Sequence, residues 1–198
     1  PAGPSEVAIV ADKTCHPEYV AADMLSQAEH GMDSQSILFT DNEDVARAVL
    51  AEVEKQLEAL PRKEMASSSL GHSRIVVLHD MEEAFEICNQ YAPEHLILAM
   101  DTALDWADRI VNAGSVFLGH YSCESAGDYA SGTNHTLPTS GYAKAYSGVN
   151  LDSFCRKITF QHLTPEGIDS IGRAVEVMAE AESLDAHRNA MTLRMKGR

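Results

Sequence analysis

EVAIVADKTCHPEYVAADMLSQAEHGMDSQSILFT, residues Glu6 to Thr40, decides the fold. It opens with EVAIVA (Glu6–Ala11), a short apolar run rich in β-formers, read as a buried strand. Pro17 can open a helix, because its missing N–H is one the first turn leaves unpaired anyway. Tyr19, Val20, Met24 and Leu25 then recur at helical spacing as far as His30, and Gly31 follows as a stop signal. SILFT (Ser36–Thr40) is strand again. Strand, helix, strand in that order is a βαβ unit.

The alternation continues outward. Asp41 to Leu60 is amphipathic, with Val45, Val49, Leu50, Val53, Leu57 and Leu60 on one face, and Pro61 ends it. SRIVVLH (Ser73–His79) is a strand, Met81–Tyr91 a helix, HLILAM (His95–Met100) a strand, Leu104–Val111 a short helix, and Ser115–Leu118 a strand. The expected class is α/β: a mostly parallel, Rossmann-like sheet covered on both faces. Ligands of such sheets usually sit beyond the carboxyl ends of the strands, so residues just after strands are expected to carry the site.

The pattern breaks at Gly119. From there to Gly148 apolar periodicity almost vanishes, and Gly127, Gly132, Pro138 and Gly141 punctuate the stretch. A loop this long is usually functional or disordered. Tyr121, Tyr129, Leu137, Tyr142 and Tyr146 supply apolar anchors, which argues for order. Beyond it the pattern predicts a helical turn at Leu151–Phe154, a short strand at Ile158–Leu163, and helices at Pro165–Ala181 and Leu184–Met195. Residues 1–149 are thus expected to form an incomplete α/β domain, and residues 150–198 a mainly helical arm suited to dimerisation.

Composition excludes several classes. The 198 residues hold 30 acidic against 15 basic side chains, a formal charge of −15. Such a surface repels phosphate backbones and anionic membranes. No apolar run approaches the ~20 residues of a membrane span. Cys15, Cys88, Cys123 and Cys155 match no CxxC-type zinc spacing and read as free thiols of a reducing compartment, the cytoplasm or an organelle stroma. Cys88 lies within a helical apolar pattern and reads as a core residue. The chain opens Pro1-Ala2-Gly3-Pro4-Ser5 with no methionine and runs straight into a strand, which is expected of a cut inside a longer protein.

Four groups of residues could carry chemistry. Gln27 and His30, three apart, share a helical face and offer an amide oxygen and an imidazole to a borderline cation. A histidine at a helix C-terminus is also favoured by the dipole alone. Glu94 and His95 put a carboxylate beside an imidazole, a neutral-pH acid–base pair. Strand neighbours point to opposite faces, so they share a site only if it wraps the strand end. ESAGDYASGTNH (Glu124–His135) offers Asp128 and His135 between turn-making glycines, with Ser131, Thr133 and Asn134 around them. Glu182 and His187 are five apart, about 140° round a continuous helix, and face one ligand only if the helix breaks. No GxGxxG follows a strand, and there is no Walker loop or GxSxG elbow.

Taken together, LSQAEHG (Leu25–Gly31), YAPEHL (Tyr91–Leu96), AGSVFLG (Ala113–Gly119), ESAGDYASGTNHTLPT (Glu124–Thr139) and AESLDAHRNA near the end resemble histidinol dehydrogenase, over nearly the whole chain. The resemblance implies oxidation of L-histidinol to L-histidine through the aldehyde, the last steps of histidine biosynthesis, with two NAD and one zinc per site. It implies zinc ligands at Gln27, His30, Asp128 and His187, and a catalytic pair at Glu94 and His95. Substrate contacts fall at Ser5, His135 and Glu182, with His95 and the metal ligands also against the substrate. It further implies a homodimer whose Glu182 and His187 reach the partner's site. Family chains are about twice as long, so the NAD contacts are expected in a missing half, and the isolated piece is expected to be inactive and prone to aggregate. Cys123 stands where the family commonly has proline. A zinc- and imidazole-binding module without catalysis, and more remotely a zinc hydrolase with Glu94 activating water, are the other readings of the same residues.

Overall fold

The structure is a computed structural model that describes residues 3–196. The described chain divides into two compact units, with the division between Phe154 and Cys155.

The first unit is built on five parallel strands in the order β3-β2-β1-β4-β5. These are β1 (Glu6–Ala11), β2 (Gln35–Thr40), β3 (Arg74–Val77), β4 (His95–Ala99) and β5 (Ser115–Leu118). Helices α1 (Pro17–Ala28), α2 (Glu43–Leu57), α3 (Lys63–Leu70) and α4 (Met81–Tyr91) connect the first four strands, and a 3-10 segment (Ala103–Arg109) precedes β5. This is the expected α/β architecture, with two refinements. The segment before β5 is 3-10 rather than α, and α3 was not legible among the serines that precede Leu70.

Side-chain alternation sorts the core. Val7, Ile9, Leu38, Ile97 and Phe117 face Val20, Met24, Leu25, Val45 and Val49 of α1 and α2. Ala8, Val10, Phe39, Leu96 and Leu98 face Ala84, Phe85 and Cys88 of α4 on the opposite side. Side chains fully buried in this way contribute roughly 1.5–3 kcal/mol each. Phe85 stacks on Trp106 at 4.7 Å between centroids. Helix starts follow sequence: the side chain of Asn42 accepts from the N–H groups of Asp44 and Val45, and that of Asp80 from Glu83.

The ends of these elements position everything that follows. Helix α4 stops at Ala92, which is left-handed with φ 56°. Pro93 cannot continue a helix. Glu94 and His95 therefore enter the sheet at its amino edge. Helix α1 runs antiparallel to the strands and returns Gln27 and His30 to that same edge. After β5 the polar stretch is ordered and begins with a short helix, α5 (Glu124–Tyr129), within what the sequence presented as loop.

The second unit contains α6 (Pro165–Ala181) and α7 (Asp185–Lys196). The short strand expected at Ile158–Leu163 does not form: the segment is irregular and exposed, and its apolar residues have no neighbouring strand to pair with in that unit's described residues.

Candidate active site

The sequence pointed to the carboxyl ends of the strands. The candidate side chains instead gather at the amino edge, where Ser5 precedes β1 and Glu94 precedes β4. The reason lies in the connections. Helix α1 and the stretch after β5 both carry their polar residues back toward the strand starts.

Glu94 and His95 do share one site, because it wraps the strand end. Both are buried, and Glu94 Oε2 lies 3.7 Å from His95 Nδ1. Glu94 Oε2 also accepts the Glu6 N–H at 3.0 Å. The other ring nitrogen of His95, Nε2, lies 3.6 Å from Asp128 Oδ1. Asp128 Oδ2 is 3.9 Å from His30 Nε2. His30 Nδ1 is 3.1 Å from the Ser26 carbonyl, one helical turn back, which leaves Nε2 facing the carboxylates. Ser5, His30, Glu94, His95, Asp128, Tyr129 and His135 line one cavity of about 370 Å³.

Sequence reasoning missed Glu124. It is 1% exposed and lies 4.0 Å from both His30 Nε2 and His95 Nδ1 through Oε1. One ligand atom from each of His30, Glu124 and Asp128 falls within 4.8 Å of the others. The signal was present: Glu124 and Asp128 are four apart, one face of one helical turn. Gly127 between them disguised the helix. The glycine is required there, because a Cβ would collide with the Phe117 ring and with Thr133 Oγ1. Phe117 in turn stacks on His95 with centroids 6.0 Å apart.

Burial dominates the electrostatics. It pushes Glu94 up to about 7, against the opposing pull of the Glu6 N–H. It pushes Glu124 up to about 9, with Asp128, Glu94 and Asp23 adding repulsion. It lowers His95, while Asp128 pulls the other way. Carboxyl groups crowded in this way are held neutral unless a cation joins them.

The donor set fits a zinc ion. Both amide atoms of Gln27, both ring nitrogens of His95, both oxygens of Glu124 and Asp128 Oδ1 are buried without a hydrogen-bond partner. Buried polar atoms are rarely left so, and nitrogen with carboxylate oxygen is a common zinc set. Cys123 stands apart from this group. It is a free, half-buried thiol and lines a different cavity, together with Tyr19, Asp23, Ser26 and His120.

Glu182 and His187 lie in the second unit. The helix breaks between them: α6 ends at Ala181, Ser183 is left-handed with φ 59°, and α7 begins at Asp185. The restriction imposed by a continuous helix is removed, and both side chains are exposed.

Comparison with known proteins gives the family. The family model for histidinol dehydrogenase matches residues 1–195. The chain belongs to the histidinol dehydrogenase family. It is 60% identical over 196 residues to histidinol dehydrogenase of Bacteroides fragilis (strain YCH46), covering 99% of this chain and 46% of that relative. The chloroplastic histidinol dehydrogenase of Arabidopsis thaliana is 55% identical over 197 residues, covering 99% of this chain and 42% of the relative. The crystal structure of histidinol dehydrogenase from Elizabethkingia anophelis superposes with a TM-score of 0.94 at 59% identity, over 100% of this chain and 46% of that one. The chain thus spans about half the length of these family members.

Proposed function

We propose that this chain carries the metal and acid–base part of an enzyme that oxidises L-histidinol to L-histidine through L-histidinal with two NAD. One observation carries the reading: His30, Glu94, His95, Glu124 and Asp128 converge from three separate segments at one sheet edge. Gln27, His30 and Asp128 would hold zinc together with His187 of a partner chain in a homodimer. Ser5, His135 and Glu182 would contact the substrate. Zinc would supply a fixed anchor for the imidazole and amine nitrogens of the substrate, and NAD would accept the hydride. The NAD contacts are assigned to the part of the protein outside this chain.

The protein's own groups then handle protons. His95 takes the proton of the alcohol in the first oxidation. Glu94, held by the Glu6 N–H, removes a proton from the water that adds to the aldehyde. His95, once it has released the first proton to solvent, takes the hydrate's proton in the second oxidation. Burial raises Glu94 toward neutral pH, where proton exchange is most effective, and lowers His95, which favours the neutral, proton-accepting form of the ring. The compartment proposed is the cytoplasm or an organelle stroma. The four free cysteines support this, and no described helix is long and apolar enough to cross a membrane.

The test is NADH formation, followed by absorbance, from L-histidinol with zinc and NAD, in the protein expressed from its complete reading frame. Zinc binding without NADH would reduce the chain to an imidazole-binding module and end this reading. Unchanged zinc affinity in His187→Ala would end the shared-site part of it.

A further inference from the structure

We infer that Glu124 is the positioning residue for His95: it takes the Nδ1–H of that ring and so presents the Nε2 lone pair to the cavity. The inference rests on the reading that His95 is the general base, and goes beyond it by naming what sets that base's tautomer.

The geometry selects Glu124 from three carboxylates. Asp128 faces the wrong nitrogen, with its Oδ1 at 3.6 Å from Nε2. Glu94 and Glu124 both flank Nδ1, at 3.7 and 4.0 Å. The nearer oxygen of Glu94, Oε2, is already engaged by the Glu6 N–H at 3.0 Å. Glu124 is buried at 1% exposure and neither of its oxygens has a partner. Its Oε1 is about an ångström beyond hydrogen-bonding range of Nδ1, a gap that a small side-chain rotation closes.

The surroundings fix the direction of that rotation. Phe117 packs against the His95 ring and limits its tilt. Helix α5 holds Glu124 by its backbone, with the Gly127 N–H donating to the Cys123 carbonyl at 3.3 Å and the Ala130 N–H to Ala126 at 3.0 Å. The same Oε1 lies 4.0 Å from His30 Nε2, so one carboxylate stands between a proposed metal ligand and the proposed base. A histidine presents one nitrogen reliably only when the other is held by a fixed acceptor.

The test compares wild type, Glu124→Gln and Glu124→Ala in the protein expressed from its complete reading frame. Nitrogen-15 imidazole spectra, with His95 assigned through His95→Gln, report the tautomer. Zinc content and steady-state kinetics with L-histidinol accompany them. Wild type is expected to show Nδ1–H on His95, and Glu124→Ala a mixture of tautomers. In Glu124→Ala, kcat should fall about 10–100-fold, the usual loss when such an orienting partner is removed. KM should stay within about threefold and zinc content should be unchanged. Glu124→Gln keeps one acceptor oxygen and is expected to recover part of the loss. Zinc lost in step with activity would make Glu124 a ligand and overturn the inference, as would an unaltered tautomer or unaltered kcat. Wild type that makes no NADH would sink the proposed reaction, while the spectra still decide the role of Glu124.

Discussion

The Ser140 N–H donates to Glu6 Oε1 at 3.0 Å, joining positions 134 apart in the chain. Glu6 opens β1, and its own N–H holds Glu94. Ser140 lies further along the polar stretch that carries Asp128 and His135, and adopts φ 56° there. Thr139 adds a bond to the Gly3 carbonyl at 3.2 Å. One buried carboxylate therefore ties the long loop to the strand that positions the proposed acid–base pair. In Glu6→Ala the N–H of Ser140, an exposed residue, loses its acceptor, which costs about 0.5–1.5 kcal/mol for a hydrogen bond that water can replace. The expected result is faster amide exchange across residues 133–142 and a lower melting temperature. Unchanged exchange in that segment would show that the loop is held by other means.

Gly127 gives a steric test of the same edge. A Cβ there meets the Phe117 ring, and Phe117 packs on His95. Overpacking of this kind typically costs about 1–3 kcal/mol. Gly127→Ala is expected to destabilise the protein and to reduce turnover through the displaced ring. Phe117→Leu in the same chain should restore part of both. If Gly127→Ala melts and turns over like wild type, the ring contact does not position His95.

Much of this was legible in the sequence, for a physical reason. EVAIVA, SILFT and HLILAM are strands buried on both faces, so their apolar runs survive without context. The site was legible as residue types, not as a place. Gln27, His30, Glu94 and Asp128 stand out by chemistry, yet which sheet edge they share depends on where α1 and α5 return the chain. Glu124 escaped because Gly127 is a poor helix former and its compensation, the space filled by Phe117, is a tertiary fact. Ile158–Leu163 misled in the opposite direction: its β-branched and aromatic residues have strand propensity but no neighbouring strand among the described residues of their unit.

The cysteines should separate by burial. Cys88 is pushed up to about 12 and Cys15 to about 11, in both cases chiefly by burial, so neither supplies thiolate near pH 8. Cys155 is exposed and Cys123 half-buried. Brief treatment with a maleimide at pH 8, followed by peptide mass mapping, is expected to label Cys155 and Cys123, with Cys15 and Cys88 labelled only after denaturation. Rapid labelling of Cys88 in the folded protein would contradict its place against the sheet.

Asp23 predicts a pH dependence. Burial raises it to about 7. In the window from the ordinary carboxylate range up to 7 the folded protein keeps a proton that the unfolded chain has released. Its contribution is therefore fully present below that window and is lost as pH rises through 7. Asp23→Asn removes this term. The stability of the variant relative to wild type should rise between pH 5 and 7, by at most about 1.4 kcal/mol per pH unit, then level off. Parallel stability profiles for the two proteins would show that Asp23 ionises freely.

Metal removal tests the centre as a whole. His30 and Asp128 face one another as proposed ligands, with Oδ2 of the aspartate 3.9 Å from the imidazole Nε2, and the neighbouring Glu124 is raised by burial and by the repulsion of Asp128, Glu94 and Asp23. A dication relieves that repulsion only in the folded state, so it must stabilise folding by linkage. At a zinc concentration 100 times the dissociation constant the gain is about 2.7 kcal/mol. Chelation is expected to lower the melting temperature, and restored zinc to raise it again. In Asp128→Asn one charged ligand is lost, so the response to zinc should shrink. In Ser131→Ala, a change at the exposed rim of the same loop, it should not. If chelation leaves the melting temperature of the wild type where it was, or if Asp128→Asn responds to zinc as fully as the wild type, then the cluster at the amino edge holds no ion. The raised carboxyl groups would then be a cost that the packing of α1 and α5 bears alone.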